Sequence, residues 1–257
     1  MDLSPSEYLS LKEPAPSLSW RATGGYLQTL SVDWSTFAEN RRKVVTKRPH
    51  RMVGLIPAPW KAKEALEHES QLEADFIKQI LLVPGVEMVS SQPQTFVFSH
   101  SAAEVLKRKS YTPDFLVQFD DGAQLLVEVR HSTRVQKDLD FFTQFGCLLQ
   151  SAGISYAVVT DQCIQRKRRR VTNAGLLYRY ARSEPLVPDL NLECGQSFTF
   201  RDLVDHCDGD QQMAYNAIAR KKFDWNLNAD IHQQTVLTQI KRRVGDECYH
   251  ASHWFGI

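Results

Sequence analysis

Three acidic residues, Glu73, Asp114 and Glu128, are the candidates for chemistry in this sequence. Carboxylate oxygens are the ligands that hard divalent ions such as Mg²⁺ and Mn²⁺ prefer, and these ions usually keep several bound waters. Such an ion polarises a phosphoryl oxygen and lowers the pKa of a bound water, so the substrate it suits is a phosphate ester. Arg130, two residues after Glu128, would place a cation beside charge that develops in the transition state.

A predicted β-hairpin brings Asp114 and Glu128 together. Its strands, 111–119 and 123–130, are joined by a three-residue loop that ends in Gly122, where φ is usually positive. In the register that this loop sets, the two acids lie opposite each other and point to the same face. Facing like charges destabilise a strand pair, so a cation must neutralise them. The other face of the hairpin is predicted to be apolar, with Phe115, Val117, Phe119, Leu125, Val127 and Val129.

A helix predicted over 63–83 carries the third acid, and Pro84 and Gly85 should stop it. An ionised side chain among core-facing residues is costly unless it is paired or metal-bound, so Glu73 needs a partner. Asp75 is assigned to the solvated face of the same helix. The stripe that should face the core is Leu66, Ser70, Glu73, Ile77 and Ile80.

Each acid also has an ordinary structural explanation. Asp114 would begin a strand as a turn residue, and Glu73 would lie at the rim of the core. Glu128 would pair with Arg130 or Arg134. The site has no chemical role only if all three ordinary explanations are true at once. Each is reasonable alone, but their combination is less so, and this favours the metal site.

The rest of the central segment predicts an α/β fold, with a mixed sheet flanked by helices. An amphipathic helix pattern over 135–151 and an apolar strand pattern over 154–160 follow the hairpin, and strand, helix and strand imply a parallel crossover. Upstream, 86–98 is predicted as one bent strand or two short strands at a sheet edge. Downstream, a helix is predicted over 173–182.

Proline-containing segments divide the chain into three predicted parts. Residues 1–60 are an irregular arm with room for one short helix, and 61–184 form the α/β domain that carries the acids. In the third part, 185–257, helical patterns at 200–207 and 211–221 precede an apolar stretch. That order fits a small helix-turn-helix or winged-helix-like unit.

The charge balance excludes a uniformly basic protein that wraps nucleic acid, because 31 Lys and Arg face 30 Asp and Glu. Nucleic-acid contacts are left to local patches, above all Arg166, Lys167, Arg168, Arg169 and Arg170, which could grip a DNA backbone or simply form a solvated loop. A second basic region, 41–51, has the same two explanations. We expect a cytoplasmic chain without a membrane span or a secretory signal, and its scattered cysteines suit reduced thiols.

Several motifs together resemble the TnsA family, the endonuclease subunits of bacterial TnsA/TnsB-type transposases, which have a restriction-endonuclease-like fold. In chain order these motifs are SQLEADF (70–76), QP (92–93), YTPDFLV (111–117), VEVR (127–130) and YAVVTD (156–161). A PD motif followed by an ExK-type motif is a weak signal alone, and the preceding SxLE helix and QP strand make the resemblance fairly specific. The similarity spans roughly half of the chain.

The resemblance implies that 61–184 is an endonuclease domain in which Glu73, Asp114 and Glu128 are the catalytic and metal-binding acids. The backbone carbonyl of Val129 would be a further ligand of Mg²⁺ or Mn²⁺. Family members cut double-stranded DNA at the 5′ ends of a transposon, and a partner DDE recombinase, TnsB, cuts and joins the 3′ ends. An ATPase regulator, TnsC, contacts their winged-helix-like C-terminal region.

Arg130 is a departure from the family, because it occupies the position of a lysine. Arginine does not release its proton, so it could steady a water or a phosphate oxygen but cannot act as a base. A lysine such as Lys137 or Lys109 could reach in instead. The alternatives left open are a non-catalytic DNA-binding or assembly subunit of the same complex, and a stand-alone restriction or repair nuclease.

Overall fold

The structure is a computed structural model that describes residues 17–20, 52–83, 85–102, 105–165, 168–181, 196–220 and 223–239. The strands are β1 (Ser17–Trp20), β2 (Gly54–Ile56), β3 (Leu66–His68), β4 (Val86–Ser91), β5 (Phe96–Ala102), β6 (Val105–Tyr111), β7 (Phe115–Phe119), β8 (Gln124–Arg130), β9 (Ser155–Thr160), β10 (Ser197–Thr199), β11 (Phe223–Asp224) and β12 (Val236–Gln239). The helices are α1 (Gln71–Ile80), α2 (Ser132–Lys137), α3 (Leu139–Ser151), α4 (Asp161–Ile164), α5 (Arg168–Ala181), α6 (Phe200–His206) and α7 (Gln211–Arg220).

A mixed five-stranded sheet with the order β1-β9-β8-β7-β4 forms the centre of the fold. Strands β8 and β9 are parallel, and the other pairs are antiparallel. Helices α2 and α3 lie between β8 and β9 in the chain, so the predicted crossover is confirmed. The predicted α/β class with a mixed sheet flanked by helices is likewise confirmed. No helix among the described residues combines the length and apolar character needed to cross a membrane.

The β7–β8 hairpin has the predicted register. The Phe119 amide donates to the Ala123 carbonyl over 2.9 Å, and Gly122 in the loop has φ +87°. The ladder pairs Phe115 with Val127, so the next position places Asp114 opposite Glu128.

Strand β7 starts later than the predicted residue 111. Pro113 has no amide hydrogen and would interrupt a ladder, so residues 112–114 form a connection instead. Tyr111 ends β6, which pairs with β5 in a separate two-stranded sheet. The segment 86–98 therefore contains parts of two strands, and Gln92 between them has φ +50°.

Helix α1 is shorter than the predicted 63–83, because Ser70 caps it. The Ser70 hydroxyl accepts a hydrogen bond from the Glu73 amide over 3.1 Å, which fixes the first turn at Gln71. The residues before the cap form β3, which pairs with β2. The helical spacing of Leu66 was misleading, because Leu66 is buried as a residue of β3 and not of the helix.

The assignment of Asp75 to the solvated face of α1 was wrong. Its side chain is buried, and each carboxylate oxygen accepts a hydrogen bond from a glutamine. Gln71 Nε2 donates to Oδ1 over 2.6 Å, and Gln165 Nε2 donates to Oδ2 over 2.8 Å. Gln165 comes from the distant end of α4, so helical periodicity could not reveal this partner.

The central sheet has a packed core on each face. The residues that were predicted to form the apolar face of the hairpin are buried together, and they pack against α1. On the other face, Leu116 and Leu126 pack with the aromatic side chains of α3 and the root of the β5–β6 hairpin. Glu128 alternates with Val127 and so shares the face of Leu126, which is the α3 side of the sheet. Helix α1, which carries Glu73, covers the opposite face.

A third core joins α5 to the C-terminal elements. Leu177 and Ala181 of α5 pack with Phe200, Leu203 and Leu237 from α6 and β12. The two short helices follow the predicted patterns closely, and their three strands form a sheet with the order β10-β12-β11.

The predicted division into three parts is only partly visible. The boundary near 185 lies in 182–195, outside the described residues. In the predicted irregular arm, Ser17–Trp20 forms an edge strand of the central sheet, whereas 1–16 and 21–51 also lie outside the described part. Helix α5 begins five residues before the predicted position 173.

Candidate active site

A cavity of about 290 Å³ lies where the beginning of α1 meets the end of β8. Acidic and basic side chains share its walls, which suits a charged ligand. The lining residues are Glu69, Ser70, Leu72, Glu73, Asp114, Val129, Arg130, His131 and Arg134.

Asp114 and Glu128 form the centre of the site. Asp114 is partly exposed to the cavity, and its Oδ2 accepts a hydrogen bond from the Val129 amide over 2.9 Å. Glu128 is only 2% exposed, so it lies behind the cavity wall. Its Oε1 is 3.4 Å from Arg130 Nη1, while Oε2 is buried without a hydrogen-bond partner.

Burial raises the pKa of both acids. Burial, and then the charges of Glu128 and Glu73, raise the pKa of Asp114 well above its usual range, although the Val129 amide opposes the rise. Burial raises the pKa of Glu128 to about 7, against the opposing effects of Tyr111, Arg130 and Asp114. A buried pair of this kind strongly favours an added cation over two free charges.

Glu73 is held by the start of its own helix. Its Oε1 accepts a hydrogen bond from the Ser70 hydroxyl over 2.8 Å, and its Oε2 accepts one from the Glu69 amide over 2.6 Å. Burial still raises its pKa, despite these hydrogen bonds and the charge of Arg130. The S-x-x-E spacing of Ser70 and Glu73 is a capping signature in the sequence. The need of buried Glu73 for a partner is therefore met at the N-terminal cap of α1.

The three predicted acids are thus neighbours, but they do not all open into the cavity. Glu73 and Asp114 line it, and Glu128 does not. Within the described ranges, no three His, Cys, Asp or Glu side chains form a ready metal-binding group. The donors nevertheless suit a hard divalent ion, since they are carboxylates and the buried Oε2 of Glu128 has no partner.

Arg130 lies beside Glu128, as the alternation of β8 predicted. Its side chain is 42% exposed, and the nearby acid raises its pKa although burial opposes the change. Of the two proposed substitute lysines, Lys137 does not line the cavity, and the side chain of Lys109 lies outside the described part of the structure. Lys137 is exposed at the end of α2, and Lys109 lies in β6.

Two tyrosines behind the acids were missed by the sequence analysis. The hydroxyl groups of Tyr111 and Tyr156 are buried, and both side chains interact electrostatically with Glu128. Burial and the neighbouring acids raise the pKa of each tyrosine well above its usual range. Tyr111 lies three residues before Asp114 in the quoted YTPDFLV motif, and Tyr156 is the first residue of the quoted YAVVTD motif.

Two basic residues at the cavity were also missed as site residues. His131 and Arg134 follow Arg130 directly, within a turn of α2. His131 Nδ1 lies 3.6 Å from Asp161 Oδ2, and Asp161 Oδ1 accepts the Ser132 amide over 2.6 Å. The sequence signal for these two residues was a histidine and an arginine within the four positions after the VEVR motif.

The five predicted DNA-binding residues have different surroundings. Arg166 and Lys167 lie outside the described residues. Arg168 is exposed at the start of α5, and Arg169 is exposed and paired with Asp230. Arg170 is buried, and its Nε donates to Asn228 Oδ1 over 3.3 Å. The basic region 41–51 also falls outside the described part.

Replacing Glu128 with glutamine is expected to stabilise the metal-free protein at about pH 8 by roughly 1–3 kcal/mol. The folded protein holds the Glu128 proton up to about pH 7, whereas an ordinary glutamate has a pKa of 4.5. Between these values the folded state binds more protons than the unfolded chain, so wild-type stability falls as the pH rises. The Glu128→Gln variant has no ionisable group at this position, so it lacks this loss of stability. Urea unfolding with EDTA at about pH 5 and about pH 8 measures the difference.

The matched control is Glu87→Gln, which changes an exposed glutamate of β4. We expect it to stay within about 0.5 kcal/mol of wild type at both pH values. A Glu128→Gln variant that is less stable than wild type near pH 8 would contradict the prediction, since Arg130 would then already compensate the charge.

Comparison with known proteins adds no relative to this picture. No protein-family model matches the chain, and no curated protein is significantly similar to it. The resemblance to the TnsA family therefore rests on the motifs quoted above.

Proposed function

We propose that this chain is a metal-dependent DNA endonuclease, the TnsA-like subunit of a bacterial transposase. The observation that carries the proposal is the position of Asp114 opposite Glu128, with Asp114, Glu73 and Arg130 lining one cavity and Glu128 buried behind its wall. Such a pair is costly for folding, which is the usual mark of a functional site.

The order of the elements supports a restriction-endonuclease-like core. Helix α1 precedes β4, the hairpin β7–β8 carries the acids, and a helical crossover returns to the parallel strand β9. In the C-terminal part, α6 and α7 stand between β10 and the pair β11–β12, with β12 in the middle of the sheet. That arrangement supports a winged-helix-like unit, which in the TnsA family contacts the ATPase regulator TnsC.

The proposed mechanism assigns a role to each side chain. Asp114, Glu128 and the Val129 carbonyl would hold Mg²⁺ or Mn²⁺ with Glu73 nearby, and the bound ion would supply Lewis-acid chemistry. The Val129 amide orients Asp114. Arg130 keeps its proton, holds Glu128 and offsets negative charge on the phosphate.

The family resemblance supplies the biological setting of the proposal. The substrate would be double-stranded DNA at the 5′ ends of a transposon, and the DDE recombinase TnsB would process the 3′ ends. A gene for each partner beside the gene of this chain would favour the transposase subunit over a stand-alone restriction or repair nuclease.

The direct test is a cleavage assay on plasmid DNA that carries the transposon ends. We expect nicks at the 5′ ends with Mn²⁺ or Mg²⁺, in the presence of the partner recombinase, and none with EDTA. Absence of any cleavage under all these conditions, by protein that still binds DNA, would overturn the proposal.

A non-catalytic assembly subunit is the second candidate function. Two observations favour it: an arginine stands where the family has lysine, and both carboxylate oxygens of Glu73 are already hydrogen-bonded at the N-terminal cap of α1. For that function we expect DNA and partner binding that EDTA does not weaken, with no cleavage.

A further inference from the structure

We propose that Arg134, together with Arg130 and His131, forms a binding site for a backbone phosphate of duplex DNA. The inference rests on the proposed function, because it names a substrate-binding residue of the same cavity. None of the motifs that suggested an endonuclease includes Arg134.

The three basic residues occupy one side of a mixed-charge cavity. They line it together with Glu73 and Asp114, and they come from a continuous segment at the end of β8 and the start of α2. A strand in the central sheet and a helical turn therefore fix their backbone, which limits the entropy lost when they bind a ligand.

Secondary contacts hold this segment in place. The Arg134 and Val135 amides both donate to the His131 carbonyl, over 2.8 and 3.0 Å. The neighbouring Ser132 amide donates to Asp161, whose other carboxylate oxygen lies near the His131 ring. The basic side of the cavity is thus anchored to β9 and α4 through Asp161.

Arg134 is the most available of the three basic side chains. Arg130 is already engaged with Glu128, and His131 lies near Asp161. Arg134 is exposed and forms no ion pair with any residue in the described part of the chain. A guanidinium that faces a cavity without a carboxylate partner is suited to bidentate contact with a phosphate.

The chemistry of the cavity explains why a phosphate needs this cation. The acids Glu69, Glu73 and Asp114 line the cavity and would repel a phosphodiester that approaches them. A metal ion held by the acids reverses part of that charge, and the arginine supplies a second attraction at the rim. Carboxylate ligands with a nearby guanidinium can therefore accept an anion that the acids alone would exclude.

The test compares Arg134→Gln with Lys137→Gln in the full chain. Both residues are exposed cations of α2, but only Arg134 lines the cavity. Binding of a fluorescent duplex of about 30 base pairs is measured with Ca²⁺ in place of Mn²⁺, at several salt concentrations. We expect Arg134→Gln to weaken binding about fivefold and to reduce the salt slope by about one, the value for one lost phosphate contact.

Arg134→Lys keeps the charge and should keep the salt slope, whereas Lys137→Gln should leave both quantities unchanged. An unchanged salt slope in Arg134→Gln, or equal effects of Arg134→Gln and Lys137→Gln on binding, would overturn the inference.

A separate cleavage assay with Mn²⁺ distinguishes the phosphate-site proposal from the nuclease proposal. If Arg134→Gln reduces the salt slope but wild-type protein never cuts DNA, the result supports the phosphate site and contradicts the nuclease. If wild-type protein cuts DNA and Arg134→Gln leaves the salt slope unchanged, the result supports the nuclease and contradicts the phosphate site.

Discussion

Replacing Asp114 with asparagine is expected to lower the rate of DNA cleavage by about a thousandfold or more, because a metal-binding charge is lost. The side-chain oxygen of asparagine can still accept the Val129 amide hydrogen bond, so the local backbone should persist. The loss should therefore be one of chemistry. The measurement is the initial rate of plasmid nicking with Mn²⁺ and the partner recombinase, beside DNA affinity and thermal unfolding of the same preparations.

Asp121→Asn in the loop of the same hairpin is the matched control. Like Asp114, Asp121 accepts a backbone amide, from Ala123 over 2.8 Å, but it is exposed and lies far along the hairpin from the cavity. We expect its cleavage rate to stay within about twofold of wild type, which corresponds to less than about 0.5 kcal/mol. Cleavage by Asp114→Asn at the rate of this control would exclude Asp114 from the active site.

Replacing Phe145 with alanine is expected to cost about 3–5 kcal/mol of folding stability, the usual range for a buried phenylalanine. Its side chain is completely buried on α3. Its ring centroid lies 5.0 Å from that of Phe98, 5.1 Å from Tyr111 and 5.2 Å from Tyr156. The deletion leaves a cavity under the two tyrosines beside Glu128, and urea unfolding measures its cost.

Phe141→Ala is the control, because it removes the same ring one turn earlier from a partly exposed position. We expect it to cost less than half as much as the change at Phe145, since less buried surface is lost. If Phe145→Ala lowers folding stability less than Phe141→Ala does, the aromatic cluster on the α3 face does not depend on the buried Phe145 ring. Cleavage by Phe145→Ala below its unfolding temperature also tests whether the cluster positions Tyr111.

The hairpin was predictable because its determinants are local. A loop that ends in Gly122 sets the register of two adjacent strands, and alternation then fixes which residues face each other. From these two rules, the pairing of Asp114 with Glu128 and the position of Arg130 follow without any distant contact. The apolar face behind them was predictable for the same reason.

Helix α1 shows how a correct local signal can be misread. The spacing of Leu66, Ser70 and Glu73 fits a helix, and the same Ser70 and Glu73 also fit an N-terminal cap. The cap determines the structure, because its hydrogen bonds satisfy amides that the first turn leaves without partners. Periodicity alone could not choose between them, since Leu66 is buried in either case.

Asp75 and Arg170 depend on partners far along the chain. Gln165 reaches Asp75 and Asn228 reaches Arg170, so residues that read as solvent-facing charges are buried. A charged side chain in a sequence carries no sign of a partner some 60 to 90 positions away. The basic run after β9 consequently has at least one member that stabilises the fold.

By itself, the sequence determined the α/β class, the crossover, the hairpin register and the acidic pair, because each follows from residue spacing within one or two neighbouring elements. Only the tertiary structure decided that Glu128 lies behind the cavity wall, that both carboxylate oxygens of Glu73 are hydrogen-bonded at the cap of its helix, and that Arg134 borders the acids. Burial and cavity shape arise from packing α1 and the β8–α2 junction around one sheet, and this packing depends on contacts between residues that are distant in the chain.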